Sequence, residues 1–348
     1  MRSRYHAAFL PILLYLVLFP ISFAQAQVTA PAGITLKQTE SDNFIYIYDD
    51  TLSDLMPDIT RHCEDAYTSL SSLLNWRPSV KTTVLFIDSD DTHNGMATIL
   101  PRPSMVIYAS SPPTMSSIYQ PGDFLRRTVF HEYAHILGSE AQYGTDAVLA
   151  KIFGRFKPPG DPLSALILLA SLPPGSMAPE WYSEGLAIWA ETAMTPLGRG
   201  NSSFVDMMLR SAVADGRLLD PDQWFLQHPE WPFGSAPYFY GMITIRYIQD
   251  CFSFAGPGTN AVGAVQDSIA HSLMFFFNQR SVPVTGLTFS EIAGKALESE
   301  ISRQKESIKN LTRSPFTPLK KLSPPGMQVY RPRFLADGNT VIFGGSEP

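Results

Sequence analysis

The sequence has few cysteines and few charged residues. Only two of its 348 residues are cysteine, Cys63 and Cys251, which is too few for the disulfide framework of a small secreted domain. Each lies in an apolar helical pattern. The sequence is compatible with two alternatives, a single disulfide between them or two buried free thiols. Charged residues make up 17% of the chain and the net charge is −6. Without a broad basic field, nucleic acid is not an expected partner.

Long apolar runs are also scarce, and the one that approaches membrane-spanning length lies at the N-terminus. Two arginines precede an apolar run over 7–23, and Ala24-Gln25-Ala26 supplies the small residues that a signal peptidase recognises. We interpret residues 1–26 as a signal peptide, which predicts an exported protein, periplasmic or secreted. An uncleaved membrane anchor is the alternative, and membrane contact is expected only through this segment.

The remaining patterns predict an α+β fold, with a small N-terminal mixed sheet packed on helices and a helical C-terminal half. Runs of β-branched and aromatic residues predict strands over 43–48, 80–87 and 104–109. Apolar residues at helical spacing predict helices over 53–76, 123–137, 179–191, 238–251, 265–277 and 289–310. The intervening stretch over 139–178 is irregular and predicts loops around short helices.

The composition changes after Ser314. Residues 315–348 are spaced by prolines, with an Asp337-Gly338 turn signal and a β-prone segment over 340–343. The segment 330–343 resembles one strand pair of a Tol-type β-propeller blade. We therefore divide the chain into a main domain over 27–314 and an incomplete propeller-like segment over 315–348. A C-terminal hairpin on the main domain is the alternative.

The motif His131-Glu-Tyr-Ala-His135 carries the sharpest chemical signal. Positions i and i+4 share one helix face, so the two imidazoles can point at one metal ion. Glu132 lies one step round the helix, where its carboxylate can reach a water on that ion without ligating it. The pattern indicates a zinc hydrolase with Glu132 as general base. Two histidines that bond to buried polar groups would be the structural alternative.

A catalytic zinc needs a third protein ligand. A histidine shortly after the motif is excluded because the required position is Ala141. A glutamate from a following helix fits better, and the segment 179–191 contains three, Glu180, Glu184 and Glu191. We prefer Glu184, since the small Gly185 and Ala187 beside it would let this helix pack close to the HExxH helix. Glu191 is expected to orient a ligating histidine, or else to be an ordinary carboxylate at a helix end.

The sequence HEYAH, followed by P-x-W-x-x-E-G-x-A, resembles the gluzincins, the thermolysin-related superfamily of zinc metallopeptidases (peptidase MA), and particularly its exported bacterial members with a Tol-like propeller. The resemblance covers about residues 40–310. It implies a zincin helical core, His131, His135 and Glu184 as zinc ligands, and Glu132 as the general base.

The family also implies a tyrosine or histidine that stabilises the oxyanion. The segment Pro237-Tyr238-Phe-Tyr-Gly241 resembles the corresponding element, which makes Tyr238 the expected donor and Tyr240 the alternative. Both tyrosines could instead simply line a cleft. Asp123, eight residues before His131, is expected to be an acid at a helix N-terminus.

The expected function is therefore zinc-dependent hydrolysis of a peptide or protein substrate. A catalytically inactive peptidase-like binding module and a zinc hydrolase of non-peptide amides are the alternatives. The stretch over 147–174, between the two ligand-bearing helices, is expected to form a lid or a wall of the substrate site. The pattern leaves the oligomeric state open.

Overall fold

The computed structural model describes residues 35–88, 91–112, 122–154, 162–196, 198–224, 233–253, 260–272, 274–313 and 328–346, with isolated positions from 315 to 322. The α+β prediction is confirmed, because a small mixed sheet is followed by a largely helical chain. Among these residues no helix is both long and apolar enough to cross a bilayer. The predicted signal peptide, residues 1–26, lies outside the described residues.

The sheet has five strands in the order β1-β2-β3-β5-β4. The central strands β2, β3 and β5 are parallel, and β1 and β4 are antiparallel edge strands. The sequence predicted the three central strands and missed both edges. The bounds are β1 Leu36–Glu40, β2 Phe44–Asp49, β3 Thr82–Ile87, β4 Gly95–Thr98 and β5 Ser104–Tyr108.

The sheet shares one buried core with two helices, α1 (Met56–Leu73) and α2 (Phe124–Glu140). Side chains alternate between buried and partly exposed along β2 and β3 because successive residues of a strand point to opposite faces. Phe44 of β2 meets Tyr133 of α2, with ring centroids 5.3 Å apart. The sheet and α1 thereby support the HExxH helix.

Most of the predicted helices are confirmed. The remaining helices are α3 (Thr145–Phe153), α4 (Pro162–Ser171), α5 (Glu180–Met194), α6 (Ser203–Asp215), α7 (Ala236–Phe252), α8 (Ala261–Ala270), α9 (Val282–Thr285) and α10 (Phe289–Leu311).

The prediction of a helix over 265–277 is wrong at both ends. The helix begins at Ala261 because the Asn260 side chain accepts a hydrogen bond from the backbone N–H of Gly263, an N-cap that extends the helix toward the N-terminus. It ends at Ala270, and a 3₁₀ segment over Met274–Gln279 follows.

The two helices that carry the candidate ligands, α2 and α5, are held together at close range. A Cβ on Gly138 of α2 would lie 2.8 Å from the Leu186 side chain of α5. The buried Gln266 of α8 donates to the Gly138 carbonyl oxygen at 2.7 Å and accepts from the Tyr182 hydroxyl of α5 at 3.1 Å. This polar bridge fixes the separation of the helices, since breaking it would leave buried polar groups unpaired.

The sequence-based prediction that Gly185 lets α5 pack close to the HExxH helix is wrong. A Cβ at this position would meet backbone atoms of Gly241 in α7, the nearest at 2.3 Å. Gly185 therefore allows α5 to approach α7, the helix that carries Tyr238, and does not explain its approach to the HExxH helix.

The C-terminal segment forms an antiparallel pair of strands, β6 (Gln328–Phe334) and β7 (Val341–Ser346). The turn signal is confirmed: Gly338 has a positive φ of 67°, and the Asp337 carboxylate accepts from the backbone N–H of Thr340 at 2.9 Å. A propeller blade and a simple hairpin both predict this strand pair.

The two cysteines do not pair. Cys63 is buried in α1, whereas Cys251 is exposed near the end of α7. Of the two alternatives that the sequence left open, the disulfide is wrong, and the buried free thiols are confirmed for Cys63 but not for Cys251.

Candidate metal centre

Three potential ligand atoms face one another between α2 and α5. The Nε2 atoms of His131 and His135 lie 3.1 Å apart. The Glu184 Oε2 atom lies 3.2 Å from the first and 3.3 Å from the second. One helical turn of α2 places the imidazoles side by side, and α5 brings the carboxylate to them. The three residues could hold a metal ion.

The other nitrogen of each ring has a partner that fixes its orientation. The Nδ1 atom of His131 lies 3.1 Å from Glu191 Oε2, and that of His135 lies 2.9 Å from Ser183 Oγ. When each Nδ1–H donates to its oxygen, the Nε2 lone pairs are free and point into the cluster. Glu191 thus lies where the expected orienting role requires it, and Ser183 does the same for the second histidine.

Glu191 is completely buried and is paired with Arg199. Arg199 opens a short 3₁₀ turn, Arg199–Asn201, after α5. Glu191 Oε1 accepts from the Arg199 backbone N–H at 2.8 Å and from its Nε at 2.9 Å, and Oε2 accepts from Nη2 at 3.0 Å. These bonds compensate the cost of burying two charges.

Arg199 Nη2 also lies 2.6 Å from His131 Nδ1. His131 Nδ1 can either accept a hydrogen bond from Arg199 or donate one to Glu191. It cannot do both, because a ring nitrogen has a single hydrogen-bonding position in the plane of the ring. Ligation of a metal through Nε2 requires the second arrangement.

The charges of the cluster are mutually stabilised. Burial raises the pKa of Glu184, but the neighbouring His135 and His131 outweigh it and hold the pKa well below the ordinary value. Burial and Arg199 lower the pKa of His131, yet its hydrogen bonds to Glu184 and Glu191 prevail and raise the pKa to about 9. Without a metal, the cluster therefore binds a proton in the place that a cation would take.

The three cluster residues and Glu132 line one cavity of about 480 Å³. Glu132 is 5% exposed, and burial raises the pKa of its carboxyl group. The edge strand β4 forms one wall of the cavity through Gly95, Met96 and Ala97. A Cβ on Gly95 would lie 2.5 Å from Glu132 Oε1, so the absence of a side chain there leaves room for the carboxylate.

The two candidate tyrosines have different surroundings. Tyr238 lines the cavity, and its ring is nearly parallel to that of His131 with centroids 6.4 Å apart. Burial and the negative charge of Glu184 raise its pKa, so the phenol remains a neutral donor. Tyr240 is buried elsewhere: its hydroxyl accepts from the Leu219 backbone N–H at 2.8 Å and its ring stacks on Trp224. Only Tyr238 faces the cluster.

The other sequence-based candidates lie outside the cluster. Glu180 is exposed in the first turn of α5 and does not join it. Asp123 is the N-cap of α2, with its carboxylate accepting from the Arg126 backbone N–H at 2.9 Å, as expected of a helix N-terminal acid. Among the described residues of 147–174, none lines the cavity, so the structure does not support a lid or wall there.

The sequence analysis did not identify three residues that contact the cluster or Glu132: Ser183, Arg199 and Gly95. Ser183 directly precedes Glu184, so its place on the ligand-bearing helix could have been noticed. Nothing in the local sequence of the other two indicates contact with the cluster. No protein-family model matches the chain, and no curated protein matches it in sequence.

Proposed function

We propose that the chain is a zinc-dependent peptidase, in which His131, His135 and Glu184 hold the metal and Glu132 acts as general base. The support comes from a His₂Glu ligand set, a separate buried carboxylate and an edge strand, all around one cavity. Two histidines and one glutamate form a ligand set typical of hydrolytic zinc sites, which keep a further position open for water.

The spacing of the ligand atoms supports zinc. Zn–N and Zn–O bonds of about 2.0–2.1 Å in a tetrahedral arrangement separate the ligand atoms by about 3.3–3.4 Å. The three separations here are 3.1, 3.2 and 3.3 Å. The cluster therefore needs little rearrangement to take an ion of this size.

The edge strand β4 is the observation that favours a peptide over other amides. Among the described strands β4 pairs only with β5, so its other edge offers backbone N–H and C=O groups beside Glu132. An extended peptide can add to such an edge as a further strand. Main-chain bonds of this kind would bind a peptide backbone and have no counterpart in a small non-peptide amide.

The residues then have distinct tasks. When bound, zinc would supply a water of lowered pKa and polarise the substrate carbonyl group. Glu132 would remove a proton from the attacking water and later deliver it to the leaving amine. The Tyr238 hydroxyl would donate a hydrogen bond to the carbonyl oxygen as negative charge develops on it. Glu191 and Ser183 would keep the histidine rings in place.

The test is the variant Glu132→Gln, assayed on a peptide library together with zinc content. We expect full zinc occupancy and a loss of kcat/KM of about 10³-fold or more, since the amide cannot accept the proton. Glu180→Gln is the matched control, because it removes an exposed carboxylate from the same neighbourhood. Full cleavage by Glu132→Gln would contradict the proposal.

Assays of zinc binding and of peptide and amide cleavage on the wild-type chain distinguish the alternative functions. Zinc binding without cleavage of any peptide would indicate a binding module. Hydrolysis of small amides without peptide cleavage would indicate a non-peptide amidase.

A further inference from the structure

A second cavity, of about 670 Å³, lies where the starts of α5 and α10 meet two 3₁₀ segments, Pro221–Gln223 and Met274–Gln279. None of its described lining residues lines the cavity of the metal centre. Aromatic rings and prolines form most of its wall, among them Pro179, Trp181, Pro221, Trp224, Phe275 and Phe289. We call it the aromatic cavity. A mostly apolar concavity of this size is typical of ligand sites.

The rings of the aromatic cavity form one contiguous surface. Phe277 stacks on Phe289 with centroids 4.6 Å apart, and the Trp181 ring lies 6.4 Å from the first and 5.8 Å from the second. Phe275 and Phe276 line the same cavity and are 73% and 52% exposed. The apolar surface therefore continues from buried rings to rings that solvent reaches.

Trp181 supplies a hydrogen-bond donor within this surface. The side chain is 5% exposed, and its indole N–H donates to no residue that the structure describes. The indole of Trp224, in contrast, already donates to the Leu219 carbonyl oxygen at 3.1 Å. A largely buried donor is costly to leave without an acceptor. A carbonyl oxygen of a bound ligand can supply one.

Asp222 supplies a negative charge. It is the only charged residue among the described residues that line the aromatic cavity. Its side chain is exposed, and its carboxylate has no hydrogen bond or ion pair within the described part of the chain. The Arg280 guanidinium lies over the Phe276 ring, 5.9 Å from its centroid, but does not line the cavity. The cavity therefore favours a ligand with a positive charge beside Asp222.

We propose that the aromatic cavity binds a proline-rich segment of a partner protein, in the polyproline II conformation and with a basic residue beside Asp222. This conformation has no internal hydrogen bonds, so its carbonyl oxygens are free to accept from the Trp181 N–H. Proline-rich segments of this kind dock in aromatic-lined grooves. The inference concerns a surface outside the metal centre and does not depend on the proposed function.

Other modes of peptide binding fit the aromatic cavity less well. An added β-strand needs an open strand edge. The described lining residues belong instead to helices, 3₁₀ segments and their ends. Pro315, Pro318 and Lys320, described positions of the chain's own proline-spaced segment, are exposed and do not line the cavity. This favours a segment from another molecule.

The test is the fluorescence anisotropy of a fluorescein-labelled peptide of six prolines followed by lysine, titrated with the full chain. Phe275→Ala removes the most exposed ring of the cavity and should raise Kd about tenfold. Phe204→Ala is the matched control, because Phe204 is 43% exposed on α6 and does not line the cavity. Trp181→Phe keeps a ring but removes the N–H, and should raise Kd about fivefold.

Two further peptides test the chemistry of the ligand. Replacing the lysine by glutamate should raise Kd about fivefold, and Asp222→Asn should remove this difference. Replacing the prolines by alanine should raise Kd about tenfold, because the preformed conformation and the contacts with the rings are lost. Equal Kd for the proline and alanine peptides would overturn the proposal, as would an unchanged Kd in Phe275→Ala. Binding that Glu184→Ala abolishes would also overturn it, because the peptide would then be held at the metal centre.

Discussion

Gly95 and Glu132, which both line the cavity, are in direct contact. A methyl group on the glycine would come within 2.5 Å of the glutamate Oε1 atom and 2.7 Å of its Cδ. The glycine lies on the edge strand and the glutamate on the HExxH helix. The strand proposed to bind substrate therefore also determines where the proposed general base can lie.

The variant Gly95→Ala should displace the Glu132 carboxylate and leave the fold intact, because the atoms that must move, from Cγ outward, belong to one side chain and to no backbone. A displacement of about 1 Å can reduce the rate on the order of 10²-fold. We expect kcat to fall by about this factor, with zinc content and thermal stability almost unchanged. Gly294→Ala is the matched control, because a methyl group there meets nothing within 4 Å. Wild-type kcat in Gly95→Ala would show that Glu132 does not depend on this contact.

Glu191 should affect metal affinity without touching the metal. Glu191→Gln keeps the shape of the side chain but removes the charge that pairs with Arg199 and orients His131. Loss of such an orienting partner typically lowers metal affinity about 10–100-fold. Competition with a zinc chelator measures the change, and Glu180→Gln serves as control. Equal zinc affinity in Glu191→Gln and Glu180→Gln would contradict the role of Glu191 in orienting His131.

The metal-free protein should lose stability as the pH rises from 6.5 to 9. The folded-state pKa of His131 is about 9, above its ordinary value of 6.5. Proton binding therefore stabilises the folded state fully below pH 6.5, and this contribution is lost as the pH rises through 9. Zinc competes with the same proton, so its apparent affinity should rise by up to about tenfold per pH unit in this window.

Thermal unfolding of metal-free and zinc-loaded protein across this pH range checks the prediction. The decrease should appear only in the metal-free form, since zinc occupies Nε2 in the other. A metal-free protein that gains stability toward pH 9 would contradict it.

The variants Tyr238→Phe and Tyr240→Phe should separate activity from stability. Tyr238→Phe removes a donor that faces the cavity, and loss of one oxyanion donor costs about 10²–10³-fold in kcat. Tyr240→Phe instead leaves the buried Leu219 N–H without its acceptor, which costs about 1–3 kcal/mol of stability. Peptide turnover and chemical unfolding of both variants measure the two effects. A larger loss of kcat in Tyr240→Phe would reverse the assignment.

The sequence predicted the parts of the site that depend on local spacing. The positions of His131, Glu132 and His135 on one helix follow from the helical period. Glu184 lies on a helix that the spacing of apolar residues predicted. Arg199 reaches the cluster only because the chain turns back after α5, and no periodic pattern encodes such a turn.

The edge strands were missed for a related reason. β1 is exposed along its whole length, and β4 is four residues long and begins with glycine. Neither has the alternation of apolar and polar residues by which a half-buried strand is recognised. Gly95 could therefore be placed opposite Glu132 only through the pairing of β4 with β5.

The most direct test of the central claim is the zinc content of the wild-type chain and of Glu184→Ala after dialysis against metal-free buffer. The account predicts one zinc per wild-type chain. It predicts a large loss in the variant, because two histidines alone hold the ion weakly. Unchanged zinc occupancy in Glu184→Ala would contradict the assignment of His131, His135 and Glu184 as one metal site.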